Sequence, residues 1–155
     1  MPKKPIISDT SCLIILDNIG ELDLLKKLFD TVTITPQIET EFGKMLPNWI
    51  IKEQANKKLY TTISKTLDSG EASAIALALE KENYLLIIDD LKGRKYARSL
   101  NLNFTGTIGI IAKAALNNKI KNAFEILDKI QNTNFRVSNK LILKIKQEIN
   151  IKLNS

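Results

Sequence analysis

Five acidic residues stand where a folded chain could use them together: Asp9, Glu41, Glu71, Asp89 and Asp90. Asp9 closes the apolar run Ile6-Ile7-Ser8, and Asp89-Asp90 closes the run Leu85–Ile88. Glu71 opens the Ala- and Leu-rich stretch that leads into that second run, and Glu41 lies downstream of Pro36. Crowded carboxylates repel one another, so a hard divalent cation is their natural neutraliser. The absences narrow the chemistry further. The 155 residues include no histidine and one cysteine, Cys12. Ser-His-Asp and Cys-His catalysis, a histidine general base and the usual Cys/His zinc centre are therefore excluded. So is an intrachain disulfide. A hydrolase built from this chain has oxygen ligands around Mg²⁺ or Mn²⁺ as its natural option.

The elements that must position these residues can be read from periodicity. Pro5 to Ser8 reads as a buried strand ending at Asp9. Ser11 to Leu28 reads as helix, interrupted near Gly20. Thr31 to Thr35 is β-branched throughout and reads as a second strand, after which Pro36 suits the first turn of a helix carrying Ile38, Glu41 and Phe42. Asn48 to Leu59 reads as helix, and Thr61 to Ser64 as a short strand. Asp68-Ser69-Gly70-Glu71 resembles a capping box before a helix running to about Glu82. Tyr84 to Ile88 is a strand, Lys92 to Leu100 a basic helix, Asn103 to Thr105 a short strand closed by Gly106, and Thr107 to Leu116 a helix of small residues. Two amphipathic helices follow, Asn122 to Ile130 and Asn139 to Leu153, the last with Leu141, Ile145, Ile149 and Leu153 as its apolar stripe. Uniformly apolar strands alternating with helices imply an α/β fold, a parallel sheet covered on both faces. One domain is expected over residues 1–155, with 121–155 as C-terminal amphipathic helices. Sites in such sheets form beyond the carboxyl ends of the strands, at a topological switch point. That rule would bring Asp9, Glu41, Glu71, Asp89 and Asp90 to one edge.

Each of these residues also has a plainer reading. Asp9 could cap the helix after it, and Glu71 could complete its capping box. Glu41 could be a solvated helix residue, and Asp89-Asp90 a turn and an N-cap.

The motifs resemble those of a known family. Ile7-Ser8-Asp9-Thr10-Ser11 followed by Leu13-Ile14 resembles the opening motif of PIN domains. Pro36 to Phe42 is similar to the second motif, with its acidic residue on Glu41, and Leu67 to Ile75 to the third, which places Glu71. Leu86 to Ala97 and Gly106-Thr107-Ile108-Gly109 resemble a PIN-like branch described as predicted nucleic-acid-binding proteins. The resemblance runs from about Pro5 to Ile120. It implies a three-layer α/β nuclease fold using Mg²⁺ or Mn²⁺, with Asp9, Glu41, Glu71 and Asp89 as catalytic metal ligands and Asp90 as the alternative fourth. It implies Thr10, Ser11 and Thr107 as hydroxyls supporting those ligands or touching substrate; their plainer role is helix capping. It implies RNA as substrate, and as partners an antitoxin protein or a second copy of the chain. Lys92, Arg94, Lys95 and Arg98 follow the acidic pair on one helix and could hold the RNA backbone, Arg94 above all because it falls in the family-like Gly-Arg pattern. Solvated surface charge is the plainer reading of the lysines.

Composition agrees with this frame. Twenty-three Lys and Arg against 17 Asp and Glu give a net charge of +6, which suits a polyanionic partner. No apolar stretch approaches the roughly 20 residues of a membrane span, and Met1-Pro2-Lys3-Lys4 carries no signal peptide, so a cytoplasmic protein is expected. Two other functions compete. One is a non-catalytic PIN-like module that binds nucleic acid. The other is a haloacid-dehalogenase-like phosphatase with Asp9 as nucleophile, which wants a second Asp two positions on, where this chain has Ser11. Aromatics are only 6% of the chain, so a stacking platform for RNA bases is not evident.

Overall fold

Ile6, Ile7 and Ser8 are all buried, as are Leu85, Leu86 and Ile87. Strands covered on both faces need apolar side chains on both faces, which is why neither run alternates. In the computed structural model, which describes residues 5–135 and 137–154, these runs are β1 (Ile6–Ser8) and β4 (Leu85–Ile87), the centre of a five-stranded sheet. The other strands are β2 (Val32–Ile34), β3 (Ile50–Lys52) and β5 (Phe104–Thr105). The order is β3-β2-β1-β4-β5 and every pairing is parallel. The chain builds outward from β1 through β2 to β3, then returns to the other side of β1 as β4. The switch point therefore lies between β1 and β4, whose register pairs Ile6 with Leu85, Ile7 with Leu86 and Ser8 with Ile87.

Nine helices among the described residues connect and cover the strands: α1 (Thr10–Asn18), α2 (Asp23–Phe29), α3 (Pro36–Phe42), α4 (Lys57–Ile63), α5 (Ser69–Glu80), α6 (Leu91–Ser99), α7 (Thr107–Leu116), α8 (Ala123–Gln131) and α9 (Asn139–Leu153). The result is a three-layer α/β fold with a parallel sheet between helices. The break expected near Gly20 separates α1 from α2, and Gly20 takes φ +74°, a conformation open to glycine. One apolar cluster surrounds the sheet, including Ile7, Leu16, Leu25, Ile34, Ile75 and Leu86. A second joins α7, α8 and α9 to Ile15 of α1 and Leu24 of α2. No helix among the described residues is long and apolar enough to cross a membrane. The reading of Met1–Lys4 falls outside the described residues.

Three expectations are corrected. Asn48 to Leu59 is not one helix: Ile50–Lys52 forms edge strand β3, registered Val32 to Ile50, and α4 starts only at Lys57. The open edge of β2 offers backbone partners, and Glu53 N–H closes onto Ile34 C=O at 2.9 Å, so pairing outweighs local preference. Thr61 to Ser64 is not a strand but the end of α4 and its cap. Asn56 caps that helix at the Leu59 N–H, and the Thr61 hydroxyl donates to Lys57 C=O at 2.8 Å, so a β-branched residue is accommodated within the helix. On α9 the packed residues are Ile142 and Ile149, with Ile145 half-buried, while Leu141 and Leu153 are 41% and 55% exposed. A strict four-residue spacing drifts about 40° per step around a 3.6-residue helix, so the ends of the expected stripe leave the packed face.

Candidate active site

β1 and β4 end side by side, and each delivers an aspartate. Asp9 is 2% exposed. One carboxylate oxygen accepts the Cys12 N–H at 2.9 Å, which caps α1. The other accepts the Asp89 N–H at 2.8 Å, across the sheet. The capping reading of Asp9 is thus true, and it covers only half of what the side chain does. Asp89 is held as fully: its Oδ1 accepts the Thr107 N–H at 2.8 Å and its Oδ2 the Thr107 hydroxyl at 2.5 Å. Gly106 permits that approach, because a Cβ there would sit 2.7 Å from Asp89 Oδ1 and 2.5 Å from Arg94 Nη2. Arg94 donates through Nε to Ile88 C=O at 2.9 Å, which sets its guanidinium beside Asp89.

Three further carboxylates gather at the mouth. Thr35 and Pro36 start α3, which carries Glu41 out to accept the Thr10 hydroxyl at 2.6 Å. Gly70 makes room for this: a Cβ there would collide with Glu41 Oε1. Glu71 sits in the first turn of α5, and Asp68, the N-cap, makes no side-chain capping bond. Asp9, Thr10, Ser11, Ile14, Glu41, Asp68 and Glu71 line one cavity of about 250 Å³. Asp90 is exposed and caps α6, accepting the Gly93 N–H at 3.0 Å. Asp89 rather than Asp90 is therefore the one paired with Asp9.

Charge is held at this edge at a cost. Burial, then the Asp89 charge, pushes the Asp9 carboxyl up to about 8. Burial, then Asp90, Asp68 and Glu41, pushes Glu71 up to about 7. Burial also raises Asp89, against the pull of Thr107 and Arg94. Beneath them Cys12 is wholly buried, and burial with the Asp9 and Asp89 charges keeps its thiol protonated.

Among the residues read from sequence, the structure gathers Asp9, Thr10, Ser11, Glu41 and Glu71 along one cavity, and ties Asp89, Thr107 and Arg94 to Asp9 from the other side. It does not gather Lys92, Lys95 and Arg98: all three are exposed on α6 and do not line that cavity. Arg98 instead stacks on Phe104, 5.4 Å from the ring centre, with Arg94 at 5.6 Å. Asp68 carries no separate signal in the sequence, where the capping-box pattern accounts for it; that its side chain makes no capping bond is visible only in three dimensions.

The donor set suits a hard cation. Every candidate ligand is an oxygen, and the raised carboxyl groups show negative charge in want of a counterion. Among the described residues no group of three acidic or cysteine side chains is already closed around one point. Mg²⁺ needs no such cage, since it keeps several waters and takes one or two carboxylates together with substrate phosphates.

A family model described as a PIN domain matches residues 5–151. The chain belongs to the PIN-domain family, whose fold is that of nucleases that bind nucleic acid. No curated protein matches it.

Proposed function

We propose that the chain is a metal-dependent endoribonuclease that hydrolyses RNA phosphodiester bonds at the edge built by Asp9, Glu41, Glu71 and Asp89. The observation that carries this reading is the Asp9–Asp89 pair at the switch point: buried Asp9 accepts the Asp89 N–H across the ends of β1 and β4, the half-buried Asp89 carboxylate stands beside it, and Glu71 is close enough to press on Asp9. Asp9 and Asp89 would hold Mg²⁺ or Mn²⁺, with Glu41, Asp68 and Glu71 as further oxygen donors and Asp90 next to them. When bound, such a cation supplies Lewis acidity toward the scissile phosphate and a more acidic water. Glu71, on the lining of the acidic cavity, is placed to take the proton of the attacking water. Glu41, steadied by Thr10, orients that water. Thr107 and Thr10 position carboxylates, Ser11 lies on the substrate side of the cavity, and Arg94 meets phosphate charge beside Asp89. Lys92, Lys95 and Arg98 act at longer range, attracting the RNA backbone.

The same proposal includes one domain over the chain, a cytoplasmic setting, and a role as the toxin of a toxin–antitoxin pair. Leu143 and Ile151, exposed on α9, are apolar surface that an antitoxin or a second copy would cover. A non-catalytic RNA-binding module is the second reading, favoured by the absence, among the described residues, of a ready-made three-ligand cluster.

The test is cleavage of labelled single-stranded and hairpin RNAs with Mg²⁺, Mn²⁺ or EDTA, beside Asp9→Asn prepared identically. The proposal requires cutting that needs metal and disappears in Asp9→Asn. Equal cutting by both proteins, or RNA binding without cutting under any condition, would overturn it.

A further inference from the structure

A second cavity, of about 320 Å³, opens on the far side of Asp89. That volume lies at the lower end of small-molecule sites. Asp89 and Arg94 line it together with the apolar Ile108, Phe135, Leu141 and Ile145. Two features say that the wall is built. Thr133 donates its hydroxyl to Ile130 C=O at 2.6 Å and accepts the Phe135 N–H at 3.2 Å, which fixes the turn after α8 and holds the ring at the cavity. Gly109 keeps the opposite wall back, since a Cβ there would collide with the Thr105 hydroxyl. Phe135 also lines a groove of about 220 Å³ with Ser11 and Ile14, both of which line the acidic cavity. The aromatic ring therefore stands at the joint of a surface that runs around the acidic edge from Glu41 to Leu141.

We propose that this cavity is a nucleobase subsite: a base of single-stranded RNA next to the scissile phosphate leaves its stack and lies against Phe135, with its phosphate at Arg94. The inference rests on the nuclease reading and names its substrate as unpaired RNA. Charge complementarity selects this occupant. The cavity has an apolar wall of Ile108, Phe135, Leu141 and Ile145 and, beside Asp89, the guanidinium of Arg94. A base offers a π-face and an adjoining phosphate, and matches both features. The interior hydroxyls are those of Thr105 and Ser138, and Ser138 already caps α9 at the Leu141 N–H. So few polar groups give stacking with little discrimination among the four bases.

The test is an abasic scan. A labelled single-stranded RNA, and copies carrying one abasic position at each site in turn, are titrated by anisotropy in EDTA at low salt. The reference proteins are the wild type, Phe135→Leu, and Leu141→Trp, which fills the cavity from its exposed rim. Cleavage of the same RNAs in Mg²⁺ is followed separately, with the copy abasic at the sensitive position as the substrate that leaves the subsite empty. We expect one abasic position to weaken wild-type binding about tenfold. That difference should vanish in Phe135→Leu and Leu141→Trp, while both still cleave the abasic copy like the wild type. Binding indifferent to every abasic position, no RNA binding, or full discrimination retained in both variants would overturn the subsite. Metal-dependent cutting with base-indifferent binding would do so while leaving the nuclease reading intact. Base-sensitive binding without cutting would keep the subsite and refute the nuclease.

Discussion

Asp9 and Asp89 have all four carboxylate oxygens held by the main chain or by Thr107, whereas the acids at the mouth are loosely tied. Glu41 has the Thr10 hydroxyl, Asp90 has the Gly93 N–H, Glu71 has the Asp68 N–H, and Asp68 makes no capping bond. The inner pair sits just past the strand ends, Asp9 buried and Asp89 half-buried, where position is set by backbone register. The outer acids sit in the first or last turns of helices, where side-chain torsions remain adjustable. A preorganised centre needs the first kind of support, and closure on a substrate needs the second. Substitutions at the two groups should therefore behave differently.

The largest effect is expected at the inner pair. Asp89→Asn keeps both bonds to Thr107, because its carbonyl oxygen still accepts the N–H and the hydroxyl can turn to accept from the amide. It should cut RNA on the order of a thousandfold more slowly, with the fold intact by circular dichroism. Without metal it should also melt about 3 °C higher, since one half-buried charge next to Asp9 is gone. Thr107→Val comes next. The lost hydroxyl bond should cost about 1 kcal/mol of stability in urea unfolding. Metal affinity or rate should fall roughly 10- to 100-fold, the scale for a group that orients a ligand. At the outer group, Gly70→Ala drives Glu41 from Thr10. Cleavage should drop about tenfold while stability stays within about 1 kcal/mol, because a helical Gly→Ala gain offsets the displaced side chain. The smallest effect belongs to Lys92→Ala: an unchanged rate at fixed salt, and a salt dependence of RNA binding shallower by about one unit of slope at most. Equal losses from Gly70→Ala and Asp89→Asn would erase the distinction between the two groups.

Much of this was legible in the sequence, for a physical reason. A strand buried on both faces must be apolar throughout, so Ile6–Ser8 and Leu85–Ile88 announced the centre of the sheet and with it the positions of Asp9 and Asp89. Short elements carried no such signal. β3 is three residues long and exposed at Ile51 and Lys52, so it looked like the helix around it. Thr61 and Thr62 read as strand on β-branched propensity alone, and the helix start set by the Asn56 cap overrides it. The choice between Asp89 and Asp90 depended on a single residue of register, which only the Asp9 contact decides. Phe135 lies 46 positions beyond Asp89 in the chain, and nothing local tied it to the acidic edge.

The claim at the centre of the account is that the acidic edge stores repulsion which a divalent cation relieves. The sign follows from the raised carboxyls. Asp9 moves from 3.8 to about 8, so the folded chain binds more protons than the unfolded chain between those values, and metal-free stability falls as pH rises through that window. The most direct measurement is thermal unfolding at pH 5 and pH 8, with EDTA or with Mg²⁺ well above its Kd, for wild type and Asp89→Asn. The account expects Mg²⁺ to stabilise the wild type at pH 8 by about 2.7 kcal/mol at a hundredfold excess over Kd, a shift of several degrees. At pH 5 the shift should be much smaller, and in Asp89→Asn it should be close to zero. An equal shift in both proteins, or no shift at pH 8 in the wild type, would contradict it.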